Sequence, residues 1–529
     1  MASGRGRNGI FWILIGCVFI VYFHYVFEVG IFPGQKEKGT LKERLAVKKF
    51  QNDSEPLKAP INFIVQSQDA SSVRAERRMS DEPRSSRGRH PRMNVLFIMA
   101  DDMRAQLSPY NGPDSEYMKP RLHTPNFQNL ASRSLLLKKA FVQYTFCGPS
   151  RTSMLTSRRP DITGIFNNSR HWRYERGNYT SLPQYFKMND YTVQGIGKVF
   201  HPGKSSSNDD PVSWTEPYRH GLSTEPDYLK PFGPGERWLE VSPEEEEEKP
   251  LPDRAAVQIA KEFLEAAAEK ARSGEKNFFL GFGFNKPHVS LICPKKYYNL
   301  YPEETGKFMD DPLWQLPFFR PGSGIVNGTA LNDSWYQLPT ETLRHMRQGY
   351  FACISYVDDL LGELLNAVEE LDLADSTIIS FMADHGYHLG EQRMVGKQTL
   401  YDSSSHVPMM LHIPGRTEHG IVSESIVQAL DVFPTIVEAA GLDQIPPCRE
   451  DSVDIPLCTE GTSILKLIDD PEIQIRPYAI TQQMDANDRM RFSLRNKRQE
   501  RFNLVNDQEY ADIKDKLQKS LYMKIGIEV

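Results

Sequence analysis

Two apolar stretches of this chain end in the same way. VLFIMA, Val95 to Ala100, gives way to Asp101 and Asp102, and IISFMA, Ile378 to Ala383, gives way to Asp384 and His385. In open α/β sheets ligands bind beyond the carboxyl ends of the strands, so these four side chains converge if the two strands are neighbours. Three carboxylates and one imidazole suit a divalent cation, and the dominance of oxygen favours Ca²⁺ or Mg²⁺ over a thiolate-built zinc site. A third element is FCGPSRTSMLTSRRP, Phe146 to Pro160, where Cys147 stands just before Pro149 and Ser150 at a candidate helix start. Free amides at such a start attract anions, and Arg151 adds a fixed cation. Each motif has a plainer reading. An Asp at a strand end commonly caps the next turn or helix, and a cysteine ahead of a basic helix can be buried or disulfide-bonded. Two matched strand ends make a shared site the stronger reading.

Such a site needs a scaffold, and the hydrophobic pattern supplies one. Val95 to Ala100 is a continuous apolar run, as expected of a strand buried on both faces of a parallel sheet. TPNFQNLASRSLLLKKAF and SLPQYFKMNDYTVQGIGKV each read as helix then strand, and RAAVQIAKEFLEAAAEK reads as a helix leading into the strand NFFLGFGF. Long helical periodicity from Arg344 to Leu371 feeds STIISFMADHG; VPMMLHIPG and the helical DVFPTIVEAAGL follow. The alternation predicts a doubly wound α/β sheet. Segments 203–252 and 289–340 are Pro-rich, polar and irregular, which predicts surface insertions, with Glu244 to Glu248 as a solvated acidic loop.

At 529 residues the chain is long enough for a large core, and its net charge of -6 gives no support to a nucleic-acid partner. Arg5 and Arg7 precede an apolar run from Ile10 to Phe27, long enough to span a bilayer and without a clear cleavage site after it. A signal anchor over residues 1–32, with a cytoplasmic N-terminus, is preferred to a cleaved signal, and it puts the rest of the chain in the lumen or outside the cell. A polar stem over 33–92 follows. Sequons at Asn52, Asn167, Asn178, Asn327 and Asn332 agree with that compartment and imply the N-glycosylation machinery as a partner. Of the six cysteines, Cys17 lies in the apolar run, which leaves an odd number in an oxidising lumen. Cys448 and Cys458 flank a short Pro-containing segment and form the best local disulfide pair. Cys353 fits a helical core, Cys293 is undecided, and Cys147 needs a chemical explanation.

CGPSR followed by TSMLTSRRP resembles the sulfatase signature CxPSRxxxLTxR, and the resemblance runs from NVLFIMADD through DHG to GRTEHGI and DVFPTIVEAAGL, roughly residues 93–467. Within that family RRPD at Arg158 to Asp161, NYTSLPQYFKMNDYTVQGIGKVFHPG, NKPH, RQGYFACISYVD and the PPC...LC pair are most similar to members acting on 2-sulfated iduronate. The resemblance implies an alkaline-phosphatase-like sulfatase fold: a large, mostly parallel sheet flanked by helices, with a small C-terminal antiparallel subdomain over 468–529. It implies that a luminal formylglycine-generating enzyme converts Cys147 to formylglycine, so the unpaired thiol disappears. One Ca²⁺ would be held by Asp101, Asp102, Asp384, His385 and an oxygen of the hydrated residue 147. Arg151 would neutralise and orient that diol, with Lys198 and His201 beside it. His201 would be the base that collapses a covalent sulfo-intermediate, and His288 and Lys397 match sulfate-binding and leaving-group positions. The plainer alternatives are a structural histidine and an exposed lysine.

The implied substrate is a sulfated glycosaminoglycan oligosaccharide, dermatan or heparan sulfate, losing the 2-O-sulfate of terminal iduronate. The family's usual home is the lysosome, whereas an uncleaved anchor and stem also fit a Golgi-resident or membrane-anchored form. Alternatives are a sulfatase for another sugar, a phosphoester or phosphonate hydrolase using the same metal clamp, or an inactive glycan-binding homologue. Two departures from the family pattern stand out. DHGW becomes DHGY at Tyr387, close to where substrate would stack, and several C-terminal strands are missing between Asn496 and Glu500, so that the subdomain reads as shortened.

Overall fold

A computed structural model describes residues 92–110, 122–220, 238–301, 340–391, 394–449, 452–484 and 490–495, with the backbone of 325–326 and 329–330. The apolar run Ile10 to Phe27, the stem before residue 92, the sequons at Asn52, Asn327 and Asn332 and the C-terminal shortening lie outside the described residues. Among the described residues no helix is long and apolar enough to cross a membrane.

Strand β1, Asn94–Ala100, is buried at every residue, as its unbroken apolar sequence requires. After it come helix α1 (Pro125–Ser132), β2 (Leu135–Phe141), α2 (Cys147–Thr156), β3 (Thr192–Gly197), α3 (Pro252–Arg272), β4 (Phe278–Gly283), α4 (Thr340–Glu370) and β5 (Thr377–Ala383). The main sheet is completed by β6 (His406–Val407), β7 (Met409–His412) and β8 (Ile421–Gln428), and helix α5 spans Val432–Ala439. The strand order is β6-β2-β7-β5-β1-β4-β3, with β8 also on β2. β1 runs parallel to β4 and β5, β3 parallel to β4, and β8 parallel to β2. Strand β7 is antiparallel to both β5 and β2, so the sheet is mixed and mostly parallel. The expected α/β architecture holds; the reversal at β7 is an addition, because an apolar run specifies a strand but not its direction.

Helix α3 illustrates how the flanking layer forms. Pro252 occupies its first turn, Asp253 faces the positive end of the helix, and Lys270 and Arg272 lie at the negative end. Ala256, Ala260, Leu264 and Ala268, four residues apart, share the buried face. The face of α4 carries Tyr350, Cys353, Ile354, Val357, Leu361 and Leu364, all fully buried. Burial of each large side chain there contributes about 1.5–3 kcal/mol, and Leu364→Ala would cost about 2–5 kcal/mol.

Three segments differ from expectation. Glu244 to Glu248 is not a loop but most of a short exposed helix, Pro243–Glu248. Ser242 Oγ accepts from the Glu245 amide at 3.2 Å, while the Glu245 carboxylate accepts from the Ser242 amide at 2.8 Å. This reciprocal cap, with acidic residues at the positive helix end, is what the charge run conceals. The segments read as surface insertions also contribute a buried layer: Leu291–Pro294 pairs in parallel with Trp238–Val241, and its four residues are buried. Both strands are four residues long, too short for a period to register against the surrounding prolines and charges.

Cys448 and Cys458 form a disulfide, and Cys353 and Cys293 are buried free thiols. At the C-terminal end of the described chain, β9 (Ala479–Met484) and β10 (Met490–Arg495) form an antiparallel hairpin. It backs the approach to α2, because the Gln482 amide donates to Gln143 O at 2.7 Å and Thr145 Oγ1 donates to Gln483 Oε1 at 2.8 Å.

Candidate active site

Register sets the site. Ala100 and Ala383 are paired across β1 and β5, so Asp101–Asp102 and Asp384–His385 leave the sheet side by side at its carboxyl edge. Asp102 adopts a left-handed backbone, φ 64°, a conformation that Asp tolerates better than most residues. It is held there from both sides: Tyr350 Oη, from α4, donates to Asp102 O at 2.6 Å and accepts from the Arg104 amide at 3.1 Å. Asp384 Oδ1 accepts from the amides of His385 and Asp102 at 2.8 and 3.1 Å.

Cys147 begins α2, a helix whose ten residues are all buried, and is 2 % exposed. Its Sγ stands where the resemblance places an oxygen of a hydrated aldehyde. It lies 3.4 Å from Asp101 Oδ1, 3.3 Å from His385 Nε2 and 3.1 Å from Lys397 Nζ. Burial, followed by the Asp101 carboxylate, pushes the thiol up, so an unmodified Cys147 is a poor nucleophile here.

Three cations answer the three carboxylates. Arg151 Nε bonds Asp384 Oδ2 at 2.8 Å, and Nη2 lies 3.7 Å from Asp101 Oδ1. Lys198 Nζ pairs with Asp101 Oδ2. Lys397 Nζ meets Asp102 Oδ1 at 2.6 Å and is 5 % exposed, so the exposed-lysine alternative is set aside. Burial alone would raise the Asp101 carboxyl, but Lys198, His288, Arg151 and Lys397 outweigh it and hold the group well below the usual range. At Asp102 burial prevails over Lys397, and the neighbouring Asp101 and Asp384 add to it, which pushes the group up to about 8.

A divalent cation fits this donor set. Ligand atoms of Asp101, Asp102, Cys147 and His385 lie within 4.8 Å of one another, all buried. Asp102 Oδ2 is buried with no hydrogen-bond partner among the described residues. With Asp101, Asp102 and Asp384 set against Arg151, Lys198 and Lys397, a dication would leave the pocket positive, the sign that an anionic ester requires. Asp384 is at the edge of this group, its Oδ2 committed to Arg151 and 3.7 Å from His385 Nε2.

The two remaining histidines approach from loops. His288 follows a turn anchored by Asp253, whose carboxylate accepts from the Asn285 and Lys286 amides at 2.8 and 2.9 Å. Burial, then Lys397 and Lys198, holds His288 well below the usual imidazole range. His201, after β3, is pushed down to about 4 by burial and then by Lys198. In both cases the shift favours the neutral imidazole.

Asp101, Asp102, Cys147, Arg151, Lys198, Asp384, His385 and Lys397 are joined by direct contacts at this one edge, while His201 and His288 are near enough to interact electrostatically with Asp101 and Lys198. Tyr387 does not face it openly: its ring is 2 % exposed and stacks on Tyr350 at 6.1 Å, so it is a supporting wall rather than an open stacking surface. The sequence reading missed Tyr350 and Asn168. The first is one aromatic among many on an amphipathic helix, and the second was absorbed into a sequon. A cavity of about 400 Å³ lined by Gln194, Glu216, Arg219, Glu262, Lys270 and Lys276 reaches Thr192 and Phe278, at the amino ends of β3 and β4, away from these residues.

Residues 93–442 match the model of the sulfatase family. The chain is 35% identical to human (Homo sapiens) iduronate 2-sulfatase over 429 residues, 73% of this chain and 76% of that protein. It is 25% identical to the choline-sulfatase of Rhizobium meliloti over 402 residues, 72% of each. Among solved structures, the phosphonate monoester hydrolase of Agrobacterium radiobacter superposes with a TM-score of 0.60 at 19% identity, covering 82% of this chain and 95% of that one, a likeness of fold alone.

Proposed function

The chain belongs to the sulfatase family and is a sulfuric ester hydrolase, and on that premise we propose that it removes the 2-O-sulfate from terminal L-iduronate of dermatan and heparan sulfate. The observation that carries the reading is the convergence of Cys147 with Asp101, His385 and Lys397 within 3.4 Å, at the carboxyl ends of adjacent strands. The substrate assignment draws its support from the 35% identity to an iduronate 2-sulfatase.

In this proposal residue 147 carries formylglycine, whose hydrate supplies a hydroxyl nucleophile and, through its second hydroxyl, a way to expel sulfate. Asp101, Asp102, Asp384 and His385 would hold Ca²⁺, which when bound polarises sulfate oxygens and favours the ionised hydroxyl. The other side chains bind and orient. Lys397 and Lys198 bring two ammonium groups to residue 147 and offset the charge of the ester. Arg151, locked by Asp384, keeps its charge and orients the residue at 147 from within its own helix. His288 faces the same charged cluster and, being neutral, can hydrogen-bond a sulfate oxygen or the leaving group. His201 can accept a proton at acidic pH, where an ordinary imidazole is already protonated, which suits a lysosomal enzyme.

The proposal also carries the chain's handling: entry into the secretory pathway through the apolar N-terminal run, conversion by a formylglycine-generating enzyme, and glycosylation, for which Asn167 and Asn178 are exposed. The test is turnover of a 2-sulfated iduronate disaccharide beside 6-sulfated glucosamine and an aryl sulfate, with mass spectrometry of the peptide containing residue 147. Preference for the disaccharide with residue 147 converted is the expected result. Conversion without that preference overturns the substrate assignment, and an unconverted cysteine in active enzyme overturns the mechanism.

A further inference from the structure

Asn168 lies between the helix that carries residue 147 and the imidazole proposed as base. Its Oδ1 accepts from the Gly148 amide at 2.9 Å, and its Nδ2 meets His201 Nε2 at 2.9 Å. The approach to Gly148 is close enough that a Cβ there would fall 2.3 Å from Asn168 Oδ1, so glycine at the second position of CGPSR accommodates this amide.

The direction of these bonds can be read without seeing a hydrogen. A backbone N–H only donates, so the side-chain atom facing Gly148 is the oxygen. The other end of the amide is then an NH₂ group, which also only donates, and His201 Nε2 must present its lone pair. A neutral imidazole has one N–H, which therefore sits on Nδ1. An independent contact agrees: His201 Nδ1 lies 2.8 Å from Pro202 O, a carbonyl that can only accept. Ser205 Oγ lies 3.1 Å from the same nitrogen.

We infer that Asn168 is a positioning residue of the reaction, fixing His201 in the Nδ1–H tautomer with the accepting Nε2 aimed toward the residue-147 end of α2. Its amide occupies that lone pair until the proton to be transferred takes its place. Once Nε2 is protonated it faces another donor, which favours release of the proton in the following step. The inference rests on the reading of His201 as base. Groups facing His201 from neighbouring elements are Lys198 after β3, Asp101 after β1, and Arg151 on α2.

The experiment compares Asn168→Asp, Asn168→Ala and His201→Ala in the full-length enzyme, on the 2-sulfated iduronate disaccharide, with conversion of residue 147 and melting temperature measured for each. Both Asn168 variants keep the Asn167 sequon. Asn168→Asp can still accept from Gly148, but its second oxygen requires a proton on Nε2. The expected result is a fall in kcat of about a hundredfold, the order of a general-base contribution, with KM nearly unchanged. The acid limb of kcat should move toward neutral pH, a shift that a purely structural role does not produce. Asn168→Ala should lose about tenfold in kcat, which keeps the inference testable if the Asp variant does not fold. If His201→Ala is inactive while both Asn168 variants keep wild-type kcat and pH profile, the inference falls. If His201→Ala retains wild-type kcat, the reading of His201 as base falls with it.

Discussion

Lys397→Met replaces a buried ammonium by a neutral side chain of similar length. At 2.6 Å and an effective interior dielectric near 20, the attraction between Lys397 and an ionised Asp102 is about 6 kcal/mol. Desolvation of the two charges offsets part of this, so removing one partner of such a pair costs about 3–5 kcal/mol when the other stays charged. With no divalent cation beside it Asp102 is pushed up to about 8 and already favours the protonated form at neutral pH, so the loss of folding stability should lie below that range. Function is not spared in this way. Lys397 Nζ is also 3.1 Å from Cys147 Sγ, and deleting a donor aimed at developing charge lowers kcat by about 10²–10³. A protonated Asp102 is also a poorer cation ligand. Steady-state kinetics on the 2-sulfated disaccharide and calcium-dependent thermal melts read the two effects separately. The expected outcome is the kcat loss together with weaker stabilisation by calcium. A Lys397→Met enzyme with residue 147 converted, kcat within about fivefold of wild type and an unchanged calcium response would refute the reasoning.

Cys147→Ser should abolish turnover while leaving the melting temperature close to wild type, because a simple alcohol lacks the second hydroxyl that expels sulfate; multiple turnovers by the serine enzyme would contradict the proposed chemistry. His201 is held at about 4, so it loses its accepting lone pair only below about pH 4–5; kcat should stay high down to that range, and an acid limb near pH 6.5 would show that the base is an ordinary imidazole or another group. The same depression makes folding stability fall with acid, since the unfolded histidine binds a proton from about pH 6.5 downward whereas the folded one resists until about 4. Asp358, on α4, caps α1 from outside by accepting from the Asn126 and Phe127 amides at 3.1 and 2.8 Å, so Asp358→Ala should cost about 1–2 kcal/mol in denaturant unfolding. An unchanged unfolding midpoint would assign those amides to another partner.

Much of this site was legible because polarity interrupts an apolar run. Asp101, Asp102, Asp384 and His385 announce themselves as charge directly after strands with no solvent-facing residue, and the two runs are alike because they are neighbours in the sheet. Lys198, His201, His288 and Lys397 have no such contrast, being single polar residues in irregular segments; only resemblance to a family assembled them. What holds the ligands was less legible. Tyr350 grips the Asp102 backbone across 248 residues of sequence separation, and nothing in RQGYFACISYVD separates that hydroxyl from the other tyrosines of the helix. Asn168 is the middle residue of a glycosylation motif. The reversed strand β7 escaped for a simpler reason, since polarity patterns do not encode chain direction.

The burial of the helix that begins at Cys147 sets an order of events. All ten residues of that helix are buried, and parts of the chain synthesised later close over its start: Asp384 after β5 holds Arg151, Lys397 meets Cys147, and the β9–β10 hairpin pairs with Tyr144 just before it. On the proposed conversion of Cys147, a modifying enzyme would have to reach the thiol before those parts close over it, since the folded chain leaves it 2 % exposed. If residue 147 is converted as proposed, modification and closure of the fold would compete, and slower folding should raise specific activity rather than lower it.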